Sequence, residues 1–428
     1  MNYTRYLNRL SLARKPSPIR ILTLILQQSS PDMISMAGGM PNPETFPIAE
    51  ASFKLKDGTL IELDQKIMNQ ALQYAPTPGL TSLVDWTKVL QSKIHNPPTY
   101  NNDNHEGKME LLITNGSQDG LCKSFEALVS EGDNVLLHHP SYPGTLAILG
   151  PLKANLLPVN SDSQGLDPSH LRKVLSRWNP SDASRPGSGI PKLLYCIPNG
   201  GNPTGSSLNL ERKKEIYKIA QEYDLLIMED DPYFYIQFTK PYIPSLLSLD
   251  VDGRVLRFDS MSKLMSSGMR IGALTGPTPI VNRINLHMQC SVMHASGMSQ
   301  VFLIKLFEKW GYEGFLQHAE KTATFYEMKR DQCLEAAEKH LKGLAEWSVP
   351  TGGMFLWLKL NIKDTKKMIE VKAKAKNVLF VPGNVFMVDD TQPCSYIRSS
   401  YSIATPEQMD LAFQRLATLI RDEMKEEQ

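Results

Sequence analysis

From Met109 onward the chain alternates short apolar runs with stretches whose apolar residues recur at helical spacing. Leu111-Leu112-Ile113-Thr114 leads into Gly116-Ser117-Gln118 and a helical stretch to Val129. Further apolar runs stand at Asn134-Val135-Leu136-Leu137, Leu193-Leu194-Tyr195-Cys196-Ile197, Leu225-Leu226-Ile227-Met228, Val255-Leu256-Arg257-Phe258 and Ile271-Gly272-Ala273-Leu274. Runs that are apolar throughout, separated by amphipathic helices, predict a largely parallel sheet covered on both faces. Two long helical stretches are expected over 278–310 and 313–342. Beyond them the pattern changes: 347–360 reads as a hairpin around Thr351-Gly352-Gly353, and 396–403 as another strand. Thr405-Pro406-Glu407-Gln408 makes a capping box with proline at the first helical position. Met409, Phe413, Leu416 and Ile420 then share one helical face. The expectation is an α/β protein with an arm over 1–45, a large domain with a mostly parallel sheet over 46–319, and a smaller α+β domain over 320–428.

Composition narrows the function classes. A chain of 428 residues suits about two domains, and 41% hydrophobic with 21% charged residues is ordinary for a globular protein. A formal net charge of +1 gives no electrostatic ground for a nucleic-acid partner or an acidic membrane. No apolar run approaches the roughly 20 residues of a membrane-spanning helix. The five cysteines are scattered and none forms a CxxC pair, so neither a disulfide framework nor a metal site is expected, and a reducing compartment is the simpler reading. Residues 1–31 contain no Asp or Glu but carry Arg5, Arg9, Arg14, Lys15 and Arg20. That composition is like a mitochondrial presequence and points to the matrix, with the cytoplasm as the alternative. The same segment also reads as a basic arm that stays on the folded chain; the two readings do not exclude each other.

The candidate chemistry centres on Lys263, in Asp259-Ser260-Met261-Ser262-Lys263 with Arg270 seven positions on. Upstream stand Asn202-Pro203-Thr204-Gly205 and Asp230-Asp231-Pro232-Tyr233. An amine, a carboxylate, a phenol, a carboxamide, hydroxyls and a guanidinium are what pyridoxal 5'-phosphate requires of a protein. Its aldehyde needs an amine, and Lys263 can form the imine if desolvation and nearby cations keep it unprotonated. Once displaced, that amine can move a proton at the substrate Cα. Asp230, at the end of an apolar run, can keep the ring nitrogen protonated; Asp231 is the rival. Tyr233 and Asn202 suit the phenolic oxygen. Ser117 and Gln118 open a helix, where backbone N–H groups bind phosphate, and Ser260, Ser262 and Arg270 add hydroxyls and a fixed cation. Tyr142 is placed to stack on the ring. Singly each signal is weak; jointly and in order they specify this cofactor.

The ordered set resembles the fold type I, class I and II aminotransferases over nearly the whole chain. The match tightens to the branch that acts on 2-aminoadipate and kynurenine. It rests on Pro16-Ser17-Pro18-Ile19-Arg20, Ile34-Ser35-Met36-Ala37-Gly38-Gly39-Met40-Pro41-Asn42-Pro43, Ala71-Leu72-Gln73-Tyr74, Gly116-Ser117-Gln118, Glu229-Asp230-Asp231-Pro232-Tyr233 and Thr405-Pro406-Glu407-Gln408-Met409-Asp410. The resemblance implies that Lys263 carries the cofactor and that Arg398 grips the substrate α-carboxylate bidentately. Asn202 shares that carboxylate, Gly39 approaches it, and Arg20 on a mobile segment meets the substrate side chain. A tyrosine like Tyr74 comes from a neighbouring subunit, implying a homodimer. The implied reaction moves the amino group of 2-aminoadipate, kynurenine or other amino acids to 2-oxoglutarate. Lyase or decarboxylase chemistry uses the same cofactor; the Arg398 match favours transamination. Pro143, Gly201, His138-His139 and Met293 depart from the family pattern and put relative substrate preference in question.

Overall fold

A computed structural model describes residues 1–427 apart from Pro31, Ser35, Gly38, Asn101, Asn104 and Pro186. Ser35 and Gly38, part of the run 34–43, therefore lie outside the described residues. The chain divides into two compact units: Met1–Ser130 with Leu247–Leu316, and Glu131–Leu246 with Gln317–Gln428. The division at 130 and the return at 247 lie inside the expected large domain, where the apolar rhythm of strands and helices runs on unbroken.

In the first unit, strand Gly272–Pro277 pairs antiparallel with both Met109–Thr114 and Val255–Ser260. The parallel expectation does not hold for it, because an apolar run specifies burial and not direction. Helices Ser117–Leu128 and Thr278–Ser291 pack together beside these strands. Leu111, Phe125, Leu128 and Phe258 are fully buried between the layers, each stabilising the fold by roughly 2 kcal/mol. The helical stretch expected over 278–310 breaks after Ser291. Met293 takes φ +64, a left-handed conformation that ends the helix. Beyond it His294 accepts the Ala75 N–H at 3.2 Å. A helical run resumes over Gly297–Leu341, interrupted at Gly311 with φ 62 and ψ −176.

In the second unit the parallel expectation holds. Leu193–Cys196 pairs parallel with Leu226–Asp230 and with Asn134–His139, and Asn134–His139 pairs parallel with Asn155–Asp162. Every residue of Leu226–Asp230 is buried, as an inner parallel strand requires. A separate antiparallel sheet joins Ala345–Trp347, Phe355–Leu360, Tyr396–Ser400 and Val381–Pro382 in that order. The expected hairpin and strand are both present there. Thr405 caps helix Pro406–Glu426 through a capping box with Gln408, and Met409, Phe413, Leu416 and Ile420 are buried.

One contact in this unit positions two site elements at once. A Cβ added at Gly200 would lie 2.5 Å from the backbone nitrogen of Gly353. Gly200 has φ +51 and Gly353 φ +74. The loop leading into Asn202 and the turn leading into Phe355 therefore touch backbone to backbone, at a distance only glycine permits.

Candidate active site

In the second unit the parallel strands deliver their C-terminal ends to one locality, the usual place for ligand sites in such sheets. Asp230 ends Leu226–Asp230 and is 3% exposed. The buried Tyr195 hydroxyl donates to its Oδ2 at 2.7 Å. Asp231 behaves differently: Asn199 Nδ2 donates to its Oδ2 at 2.8 Å, and Asn199 also accepts from the buried Lys213 ammonium at 3.4 Å. Asp231 thus belongs to a buried framework with Asn199, as Asp230 does with Tyr195.

Arg398, on strand Tyr396–Ser400, donates from Nη1 to Asn202 Oδ1 at 2.9 Å. Its guanidinium lies 4.3 Å from the Phe355 ring centroid and 5.2 Å from that of Phe386. Tyr233 meets Phe355 edge-on at 6.0 Å. Flat aromatic faces hold a planar cation and exclude water from it. Burial lowers the Arg398 pKa from its ordinary value, with Tyr233 and Tyr142 opposing. Burial first, then the Asp230 charge, pushes the Tyr233 phenol well up, so it stays protonated as a donor. Tyr142 is close enough to act electrostatically on Arg398, Tyr233 and Tyr195. The second unit therefore brings together Tyr142, Asn202, Asp230, Tyr233 and Arg398. Arg398 Nε is buried and has no hydrogen-bond partner among the described residues, which suits a group that receives a substrate carboxylate.

The first unit builds an anion cradle. Gly116, at φ +80, precedes helix Ser117–Leu128, so Ser117 and Gln118 occupy the positions whose N–H groups the helix cannot satisfy. A Cβ at Gly116 would lie 2.5 Å from Arg270 Nη2, so the guanidinium rests against the bare backbone. Arg270 Nη1 also reaches Ser262 Oγ at 3.5 Å and donates to the Ser267 carbonyl at 3.2 Å. Ser260 Oγ accepts the Ser262 N–H at 3.2 Å. Beneath them Asp259 accepts from Gln91 at 2.5 Å and from Arg257 at 2.8 Å, which pins the end of strand Val255–Ser260. Lys263 is half-buried, three residues beyond that strand.

Arg20 lies in helix Pro18–Gln28, is buried, and donates from Nη1 to the Ala75 carbonyl at 3.2 Å. Burial lowers its pKa and neighbouring Tyr74 opposes the shift. Tyr74 itself is 51% exposed. Gly39 is exposed, and a Cβ there would meet nothing within 4 Å. His138 and His139 end strand Asn134–His139, and no cluster able to hold a metal ion occurs among the described residues. Tyr195, Asn199, Phe355 and Phe386 were not anticipated. Tyr195 carried a faint signal as the one phenol in an otherwise apolar run; the phenylalanines looked like ordinary core.

Taken by itself, the second unit offers a carboxylate, a phenol and a carboxamide of the kinds that suit the ring of pyridoxal phosphate, and the first offers an amine that suits its aldehyde and a helix N-terminus with a guanidinium that suit its phosphate. Comparison with known proteins agrees. The model of the family "Aminotransferase class I and II" matches residues 47–416, and the chain belongs to that family. It is a transaminase that depends on pyridoxal phosphate. The mouse kynurenine/alpha-aminoadipate aminotransferase, mitochondrial, is 51% identical over 425 residues, covering 99% of this chain and 100% of that one. Among solved structures, the aminotransferase Aro8 from Candida albicans superimposes with a TM-score of 0.87 at 27% identity, covering 99% of both chains. The Pyrococcus horikoshii kynurenine aminotransferase, solved with PMP, kynurenine and kynurenic acid, gives a TM-score of 0.76 at 27% identity, covering 99% of this chain and 98% of that one.

Proposed function

We propose that this transaminase moves the amino group of L-2-aminoadipate or L-kynurenine to 2-oxoglutarate, in mitochondria and in the matrix. The products are glutamate with 2-oxoadipate, or glutamate with an oxo acid that cyclises to kynurenic acid. The relative at 51% identity carries both activities in its name. The carrying observation in this chain is Arg398, hydrogen-bonded to Asn202 and packed over two phenylalanine rings, with its Nε unengaged among the described residues.

When bound, the cofactor withdraws electrons from the substrate Cα and carries the nitrogen between the two half-reactions. The chain's residues do the rest. Lys263 holds the cofactor and then moves the proton at Cα. Asp230 keeps the ring nitrogen protonated, while Tyr233 and Asn202 donate to the phenolic oxygen. Tyr142 covers the ring face. Ser117, Gln118, Ser260, Ser262 and Arg270 bind the phosphate. Arg398, Asn202 and Gly39 orient the α-carboxylate, which fixes the Cα–H bond for proton removal. Arg20 meets the substrate side chain: a cation suits the distal carboxylate of aminoadipate, and its guanidinium plane also suits an aromatic ring. The active form is a homodimer in which Tyr74 serves the partner's site; its exposure agrees with that role.

The test is a reciprocal assay of purified protein across amino donors and oxo acids, read together with the absorbance spectrum. Aminoadipate and kynurenine should each yield glutamate from 2-oxoglutarate and shift the cofactor absorbance to its amine form. Glutamate formation from other donors but from neither of these would overturn the substrate assignment.

A further inference from the structure

Strand Leu193–Cys196 is wholly buried, yet it carries a phenol whose hydroxyl donates to Asp230 Oδ2 at 2.7 Å. The register places Tyr195 beside Met228, two residues before that aspartate on the parallel neighbour. We infer that Tyr195 is a positioning residue for the reaction, fixing the Asp230 carboxylate and lowering its basicity so that the shared proton stays on the cofactor nitrogen. Burial, and then the Asp230 charge, hold the Tyr195 phenol protonated at any working pH, so the donor is permanent. Tyr142 also acts on it electrostatically. A hydroxyl that donates to a carboxylate stabilises the charged form and weakens its hold on a proton. The inference rests on the reading of Asp230 given above.

Two full-length variants separate the inference from that reading. Tyr195→Phe should raise the pH midpoint at which the absorbance of the Lys263-bound cofactor titrates. It should also cut kcat about tenfold while KM changes little, because only the hydroxyl is lost. Asp230→Asn should move the midpoint further the same way. If Asp230→Asn leaves the midpoint unchanged, the reading of Asp230 is wrong. If Asp230→Asn moves it and Tyr195→Phe does not, the role of Tyr195 is wrong, even if the melting temperature falls.

The opposite end of the chain carries a second inference on independent contacts. The basic segment that reads like a presequence is built into the first unit. Tyr6 is fully buried, and Tyr3, 6% exposed, donates to the Gly253 carbonyl at 2.9 Å. Its hydroxyl fills a slot between Gly107 and Gly253, where a Cβ at Gly253 would lie 2.5 Å from it. Asn8 donates from Nδ2 to the carbonyls of Glu126 at 2.7 Å and Val129 at 2.9 Å, and from its backbone to Ala127 at 3.0 Å. It thereby closes the C-terminal end of the helix that opens with Ser117. Arg283 donates to the Leu12 and Arg14 carbonyls, and Gln289 accepts the Ser17 N–H. The geometry points to a strap over residues 3–17 that stays on the mature, active protein.

The test recovers active protein from whichever cell fraction holds it and identifies its N-terminal peptide by mass spectrometry. Peptides containing Tyr3 and Tyr6 should be present. An active protein that begins beyond Ser17 would overturn the strap; the fraction in which it is found bears on localisation alone. In the full chain Tyr6→Ala should lower the melting temperature by at least about 4 °C, and an unchanged melting temperature would equally count against the strap.

Discussion

In the unit that contains Leu226–Asp230, Asp230 and Asn202 are buried, Arg398 is half-buried, and all three are engaged: Asp230 with Tyr195, Asn202 with Arg398, and Arg398 with two phenylalanine rings. In the unit that contains Val255–Ser260, Ser117, Ser262 and Lys263 are half-buried, Arg270 is exposed, and helix Ser117–Leu128 begins without a side-chain cap. In the proposed scheme the contrast follows what each unit has to hold. A protonated ring nitrogen needs an acceptor and a carboxylate needs donors, each with its direction fixed in a low-dielectric setting, where each interaction is strengthened. A phosphate is a strong charge that backbone dipoles bind even at a wet surface. Changes in the first kind of site should disturb folding and chemistry together; changes in the second should disturb chemistry or cofactor binding alone.

That contrast can be broken at several points. Lys263→Ala should lower turnover by at least about 10⁴-fold and abolish the absorbance of the lysine-bound cofactor, while the melting temperature of the apoprotein stays nearly constant. Arg398→Gln should reduce kcat/KM by about 10³-fold and also destabilise the fold, because it removes a guanidinium packed over two phenylalanine rings and its hydrogen bond to Asn202. A stability loss in the Lys263 variant and none in the Arg398 variant would reverse the comparison. His138 probes the buried unit through pH. Burial drops its pKa from 6.5 to about 4. Below pH 6.5 the unfolded chain binds a proton that the fold refuses, so stability should decline down to pH 4 and then level off, by up to ~3 kcal/mol. Denaturation of His138→Gln across that range should show a flatter acid limb. Gly116→Ala should be mildest, weakening cofactor affinity about tenfold by displacing Arg270, as equilibrium titration with pyridoxal phosphate would register.

Much of this was legible because chemistry clusters in the sequence. Ser260, Ser262, Lys263 and Arg270 lie within eleven positions, and Asp230 and Tyr233 within four. The capping box at Thr405 was legible because its partners are three residues apart. What stayed hidden was long-range or directional. An apolar run does not say whether its neighbour is parallel, so Gly272–Pro277 could not be oriented. The partners of Asp230 and Asp231, Tyr195 and Asn199, lie 35 and 32 residues away from them in sequence. The aromatic faces around Arg398 come from Phe355 and Phe386, which no spacing rule links to it. The burial of Tyr3 and Tyr6 was invisible to a composition that spoke only of basic charge.

The backbone contact of Gly200 with Gly353 bears on how inherited variation in this protein should be judged. Neither residue touches a reactant in the proposed scheme, and neither would stand out in a survey of chemical groups. Yet a methyl group at either position must wedge the two loops apart and carry Asn202 away from Arg398. Missense alleles at these two codons should therefore be classed with lesions of the catalyst, although every reactive atom is still encoded.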